Sequence, residues 1–536
     1  MKALTCRLAV LLLSPAAAFA ADRAVPARPN VIVILADDLG YGDVQCYNPQ
    51  RGKIPTPNLN RLAAQGLRFT DAHSSSGVCS PSRFALLTGR YHWRTQLQSG
   101  IVGVFGPPLI AADRLTIAGL ARQQGYRTAC IGKWHLGWDW PVDKAQRKLI
   151  QFARPAGASD EGPVATPELR AAWRRLFTQA IPGGPTTRGF DTYFGTDVPN
   201  WPPYCFIEND RTIGVPSEFL PASQLRNNLA SLPGPALPDW KLNEILPALG
   251  DRAVQFVTAS AARPEPFLLY LPLTAPHTPI AVNEPWRGRS GLIPYGDFVM
   301  ETDALVGRVL EAVERSGTTE RTLVVFTSDN GCAPYIGAPE MEAKGHFPSG
   351  PWRGYKGDAW EGGHRVPFLV RWPGVVRPGR VCGQLAHHAD LLATLAAIWG
   401  ARLPDNAGED SFSLLALLQG GDQPARPHAV SCAASGVPAV RLGSWKLIAG
   451  AASGPFAKGR DGNGTKLYDL ANDPAETHDL APEQPARVAE MRSLLDKLIT
   501  DGRSTPGTIQ RNDVEVRRFP LAAVEPPAAK TRQAKK

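Results

Sequence analysis

Four separate stretches of this chain run apolar and then stop at acidic, basic or amide side chains. In NVIVILADD the apolar residues Val31 to Leu35 lead into Asp37 and Asp38. YRTACIGKWHLG follows the helix-like LTIAGLARQQG and ends in Lys133 and His135. PFLLYLPLTAPHTP ends in His277, and RTLVVFTSDNG, after the helix-like DALVGRVLEAVERSG, ends in Asp329 and Asn330. Apolar runs of strand length alternating with helical segments predict a parallel sheet covered on both faces. In such open sheets ligands bind beyond the carboxyl ends of the strands. Four strands delivering reactive side chains to the same end therefore predict one site there. The fold class expected is α/β, a large mixed and mostly parallel sheet sandwiched by helices.

A smaller unit follows. DLLATLAAIWGARLP, from Asp390, reads as the last helix of the large domain, and a Gly/Pro/Asp-rich connection comes after it. Short strand candidates in AVRLGSWKLIAG and TKLYDLANDP, then a helix from Pro485 to Thr500, predict an α+β domain with an antiparallel sheet. The expected division is a leader at 1–20, a main domain at 21–420, a small domain at 421–515 and a basic tail at 516–536. The segment 140–235, rich in Pro, Gly and Trp, is expected to be a loop insertion over the site.

The first twenty residues have the form of an export signal. Lys2 and Arg7 precede the apolar run Leu8 to Leu13, and Ala18-Phe19-Ala20 offers cleavage after Ala20. No segment is long and apolar enough to span a bilayer, so a periplasmic or secreted protein without stable membrane insertion is expected. The formal charge of +9 suggests polyanion binding until it is located. Lys2 and Arg7 belong to the leader, and Lys530, Arg532, Lys535 and Lys536 to the tail, which leaves about +3 on the folded body. No nucleic-acid partner is expected on that basis.

Without Cys6 the chain has cysteines at 46, 79, 130, 205, 332, 382 and 432, an odd number with no CxxC pair. Cys79 lies in GVCSPSRFALLTGR, just before a helix predicted to start near Pro81 and stop at Thr88-Gly89. It reads as a core thiol, half of a disulfide, a thiolate nucleophile or the precursor of another group. Asp37, Asp38, Asp329 and Asn330 are hard oxygen donors, which favour Ca²⁺ or Mg²⁺ over zinc. Arg83, Lys133, His135, His277 and Lys356 are the candidate cationic and acid–base groups. With a divalent cation they describe a pocket for a tetrahedral oxyanion ester.

CSPSRFALLTGR resembles the signature of the type I sulfatases, a Cys-x-Pro-x-Arg core followed by Leu-Thr-Gly. ADDLGYGD, IGKWHLG, RGFDTYFG, APHTP, SDNG, KGDAWEGGHRVP and KLYDLANDPAETHDLA are similar to that family's other blocks. Together they cover nearly the whole mature chain. The resemblance implies an alkaline-phosphatase-like fold and hydrolysis of sulfate monoesters, with Cys79 oxidised to formylglycine (3-oxoalanine) by a maturation enzyme that reads Cys79, Pro81 and Arg83. It further implies one Ca²⁺ on Asp37, Asp38, Asp329, Asn330 and the modified Cys79. Arg83 would hold the formylglycine hydrate. Lys133 and Lys356 would neutralise sulfate, His277 would protonate the leaving alcohol, and His135 would assist sulfate ejection. A phosphate mono- or diesterase or phosphonate hydrolase of the same superfamily is the alternative, and the neutral Asn330 favours the singly charged sulfate ester. A sulfated glycan of the galactose or N-acetylgalactosamine type is the expected substrate, with aryl sulfates also used. Trp201 and Tyr204 are expected to stack on its ring, and Glu208, Asn209 and Asp210 to bond its hydroxyls.

Overall fold

A computed structural model describes residues 28–143, 145–152, 163–221, 224, 231–457 and 462–519. The leader with its cleavage after Ala20, and the tail from residue 520 on, lie outside the described residues. The main sheet has ten strands in the order Arg380–Cys382, Leu67–Phe69, Phe368–Arg371, Thr322–Ser328, Asn30–Ala36, Phe267–Pro272, Arg127–Lys133, Thr192–Thr196, Ile207–Glu208, Arg211–Thr212. The five strands from Thr322–Ser328 to Thr192–Thr196 are mutually parallel, and antiparallel pairs flank them.

Every residue of Asn30–Ala36 is buried, as a central strand covered on both faces requires. The pleat divides its side chains by parity between two cores. Val31, Val33 and Leu35 join one core with Phe84, Leu87, Leu120 and Leu392, from the helices Cys79–Thr88, Ile117–Gln123 and Asp390–Ile398. Ile32, Ile34 and Ala36 join the other with Leu62, Leu249, Val257, Val306 and Leu310, from Pro57–Ala64, Ile245–Ala261 and Pro294–Arg315. Each buried Val, Leu or Ile contributes roughly 1.5–3 kcal/mol, so this strand anchors both halves of the sandwich.

The segment 140–235 is more than a loop. It contributes the helix Pro167–Phe177 and the strand Thr192–Thr196, which extends the parallel sheet by pairing with Arg127–Lys133. That strand, TYFGT, is too short and too polar to show as an apolar run.

A second sheet, His428–Cys432, Pro438–Leu442, Trp445–Ile448 and Lys466–Asp469, is antiparallel throughout. The helix Pro485–Thr500 covers it with Val488, Met491, Leu495 and Leu498. A buried ionic network joins it to the segment that leads into the strand Phe368–Arg371. Lys446 pairs with Glu361 at 2.9 Å and with Glu476 at 2.8 Å, and Arg365 pairs with Glu361 at 2.8 Å. The first strand of this sheet also grips the segment before Cys79: Cys432 N–H donates to Ser75 O, and Gly77 N–H to Cys432 O.

Candidate active site

Strand register brings the carboxylates together. Ala36 pairs with Ser328, so Asp37 and Asp329 leave adjacent strands side by side at their carboxyl ends. Asp38 follows with φ of 63°, and its N–H donates to Asp329 Oδ1 at 3.1 Å. The loop after it is held by Asp43, whose carboxylate accepts from Gly40 N–H, Tyr295 hydroxyl and His346 Nε2. A Cβ on Gly40 or Gly42 would come within 2.3 or 2.2 Å of the carbonyl oxygens of Pro348 and Phe347, which accounts for both glycines.

The helix Cys79–Thr88 starts two residues earlier than the position of Pro81 predicts. Cys79 is its first residue and Val78 its cap, and it ends on Gly89 at φ 64°. Arg83, one turn on, is fully buried. Its Nε and Nη2 both donate to Asp329 Oδ2, at 3.0 and 2.8 Å, and its Nη1 donates to Lys133 O. Burial opposes its charge, but Asp329 and Asp37 outweigh burial and raise its pKa.

The lysines divide the carboxylates between them. Lys133 Nζ donates to Asp37 Oδ2 at 2.7 Å, and Lys356 Nζ to Asp38 Oδ2 at 2.7 Å. His277 Nε2 lies 3.6 Å from the same Asp38 oxygen, while its Nδ1–H donates to Thr278 O, fixing the ring. Burial, reinforced by Lys356, holds His277 well below the usual histidine range. His135, at φ 53°, donates Nε2–H to Val102 O at 3.1 Å, and its buried Nδ1 has no partner. That nitrogen is therefore a free acceptor. Burial, reinforced by Lys133, holds His135 well below the usual histidine range.

None of the seven described cysteines forms a disulfide. Cys79 Sγ lies 3.9 Å from Asp37 Oδ1, among charged groups rather than in an apolar core. Burial pushes its thiol up to about 12 despite Lys133 and Lys356, so as encoded it is no thiolate.

Donor atoms of Asp37, Asp38, Cys79 and His277 all lie within 4.8 Å of one another. Asn330 donates Nδ2 to Asp38 Oδ1 at 2.7 Å, which leaves its buried Oδ1 without a partner. An orphaned buried amide oxygen on a residue next to this carboxylate cluster fits a hard divalent cation.

The residues expected to read the substrate fare differently. Trp201 does border the site, its ring edge-on to His135 at 5.5 Å. Tyr204 is buried, and its hydroxyl donates to Asn200 O and Leu232 O, so it packs the insertion and offers no stacking face. Glu208, Asn209 and Asp210 lie on an antiparallel return that runs from Gly195 back past Phe194, away from the carboxyl ends. Glu208 pairs with Arg252, Asn209 exchanges hydrogen bonds with Tyr193, and Asp210 O accepts from Ile181 N–H. These three belong to a hairpin rather than to the site. Conversely, Asp197 comes to the site from the strand Thr192–Thr196 and accepts from His135 N–H, and burial raises its carboxyl to about 6. The strand-then-acid signal that exposed Asp37 and Asp329 was present here too, on a strand too short to stand out.

A family model described as Sulfatase matches residues 29–401. The chain is 31% identical to an N-acetylgalactosamine-6-O-sulfatase of Bacteroides thetaiotaomicron, over 88% of this chain and 93% of that protein. It is 34% identical to human arylsulfatase A, over 90% and 89%. A solved structure from work on glycosaminoglycan metabolism by Bacteroides thetaiotaomicron matches with a TM-score of 0.74 at 29% identity, over 88% of this chain and 99% of that one. The phosphonate monoester hydrolase of Agrobacterium radiobacter shares the fold, with a TM-score of 0.55 at 19% identity over 89% and 96% of the two chains.

Proposed function

The chain belongs to the sulfatase family, of alkaline-phosphatase-like fold, and from that premise we propose that it is an exported glycan sulfatase working through a converted Cys79. It is a sulfuric ester hydrolase. The observation that carries the proposal is the pairing of Lys133 with Asp37 and of Lys356 with Asp38, beside Cys79. Two ammonium groups held at one buried point by strand ends are a receptor for a tetrahedral oxyanion.

Asp37, Asp38, Asp329 and Asn330, with residue 79, would hold Ca²⁺ or Mg²⁺, which supplies Lewis-acid charge at the sulfate. Conversion of Cys79 to 3-oxoalanine by a maturation enzyme would supply an oxygen nucleophile where the thiol is too basic to serve. The remaining work falls to side chains present in the chain. Lys133 and Lys356 hold the sulfate oxygens. Arg83 balances Asp329 and fixes the first turn of its helix. His277, once protonated with the anion bound, delivers the Nε2 proton to the departing alcohol oxygen. His135 takes a proton at Nδ1, the atom left free by its bond to Val102. Trp201, against His135, limits water on that side.

A sulfated galactose or N-acetylgalactosamine is the preferred substrate class, supported by the specificity named for the Bacteroides relative. Periplasmic or secreted location rests on the leader; among the described residues no helix is long and apolar enough to cross a membrane. The test is a panel of sulfated glycans assayed beside 4-nitrophenyl sulfate and the corresponding phosphate esters. Desulfation of a galactose-type glycan is expected, and activity confined to phosphate esters would overturn the assignment. Mass analysis of the Cys79 peptide from active enzyme should show it about 18 Da lighter than cysteine predicts.

A further inference from the structure

Two features outside the catalytic cluster meet at its rim. Phe456 is 41% exposed, the only aromatic among the large apolar side chains that are exposed in the described residues. Tyr335, partly exposed, stands edge-on to it with centroids 5.2 Å apart. The Tyr335 phenol is pushed up by burial, against the pull of the adjacent Lys356 ammonium, and the charges of Asp38 and Cys79 also reach it. The Phe456 ring lies over Gly357, the residue after Lys356, and so the aromatic pair borders the site on the Lys356 side.

That side is where the alcohol must leave. His277 and Lys356 converge on one oxygen of Asp38, whereas Lys133 sits on Asp37. A proton delivered from His277 Nε2 goes to the oxygen being expelled, so the departing group lies toward His277 and Lys356. On that side Tyr335 and Phe456 stand edge-on to one another, with the Phe456 ring over Gly357.

The pair is built, not draped. Phe456 comes from the second unit, on a segment hydrogen-bonded to the loop that carries Lys356. Ala359 N–H donates to Ala452 O at 2.8 Å, and Gly454 N–H to Asp358 Oδ1 at 2.6 Å. Gly357, at φ 92°, leaves the room: a Cβ there would come within 3.2 Å of the Phe456 ring. An exposed aromatic face fixed in this way costs hydration unless something covers it, and the apolar C–H face of a sugar ring is suited to that.

We propose that Tyr335 and Phe456 form the subsite for the pyranose ring that bears the sulfate ester, with Phe456 as its stacking surface and the second unit thereby setting substrate choice. This rests on the sulfatase reading above. The test compares Phe456→Ala, Phe456→Leu and Phe456→Trp with wild type, using N-acetylgalactosamine 6-sulfate as substrate and inorganic sulfate as inhibitor. Ala and Leu should raise KM about tenfold, the scale of one aromatic contact, with kcat within about twofold. Trp should stay near wild type, and the inhibition constant of sulfate should not move in any variant. An unchanged KM in Ala and Leu would overturn the proposal. So would a sulfate inhibition constant rising in step with KM, which would mean that the loop only props Lys356. Absence of sulfate ester hydrolysis by wild type would instead refute the underlying reading, and is seen before any variant is compared.

Discussion

Lys356 donates to Oδ2 of Asp38 at 2.7 Å, so a buried ammonium occupies an oxygen that a cation would also claim. Binding a divalent ion must loosen this pair, and the unpartnered Oδ1 of Asn330 offers compensation. Ca²⁺ added to chelator-treated protein should raise its unfolding free energy by about 2.7 kcal/mol at a hundredfold excess over Kd. Asn330→Ala should weaken Ca²⁺ binding about 10- to 100-fold in titration calorimetry; equal affinity would remove Asn330 from the ligand set.

Lys356→Ala removes one of two cations facing the anion. Turnover of 4-nitrophenyl sulfate should fall on the order of 10²- to 10³-fold, as when one preorganised donor is lost. The metal-free variant should also be less stable by about 3 kcal/mol, because Asp38 loses its buried partner. Near-native turnover would exclude Lys356 from the site.

His277→Ala should discriminate among leaving groups. A sugar alkoxide is a poor leaving group and needs its proton; 4-nitrophenolate does not. The variant should lose about 10²- to 10⁴-fold on a sugar sulfate and far less on 4-nitrophenyl sulfate. Equal losses on both would assign His277 to binding alone.

Burial alone lowers His92 to about 3. The unfolded chain takes up that proton below about pH 6.5 and the folded chain does not, so stability is full above 6.5 and declines as pH falls. At pH 5 this one group removes about 2 kcal/mol. His92→Gln should shrink the stability difference between pH 7 and pH 5, measured by urea unfolding, by about that amount. An unchanged difference would locate the acid sensitivity elsewhere.

Tyr204→Phe removes the buried hydroxyl that bridges the carbonyls of Asn200 and Leu232, while Asn200 O keeps the Leu232 N–H. A loss of about 1–3 kcal/mol in stability is expected, with kcat and KM close to wild type. A raised KM would return Tyr204 to the substrate site.

The central strands were legible because burial on both faces leaves a continuous apolar run, and their ends because charge after such a run is costly unless used. Thr192–Thr196 escaped notice since its glycine and threonines break that run, and Asp197 went with it. Glu208, Asn209 and Asp210 looked like sugar ligands by type alone. Only the direction of the returning strand, a pairing property absent from local sequence, sends them to the wrong end. Phe456 was illegible for a plainer reason: it meets Tyr335 across two units, and nothing in either segment's pattern announces the other.

The strand His428–Cys432 closes over the segment leading to Cys79, and its Ser431 hydroxyl reaches Ser74 O across 357 positions. Contacts between residues so far apart in the chain carry a high closure cost and form late. During synthesis every strand of the main sheet emerges before this strand exists. The cysteine loop thus stays unlatched for most of the chain's birth and is sealed near its end. The hydrogen bonds that hold the segment before Cys79 are therefore among the last whose two partners both exist on the growing chain.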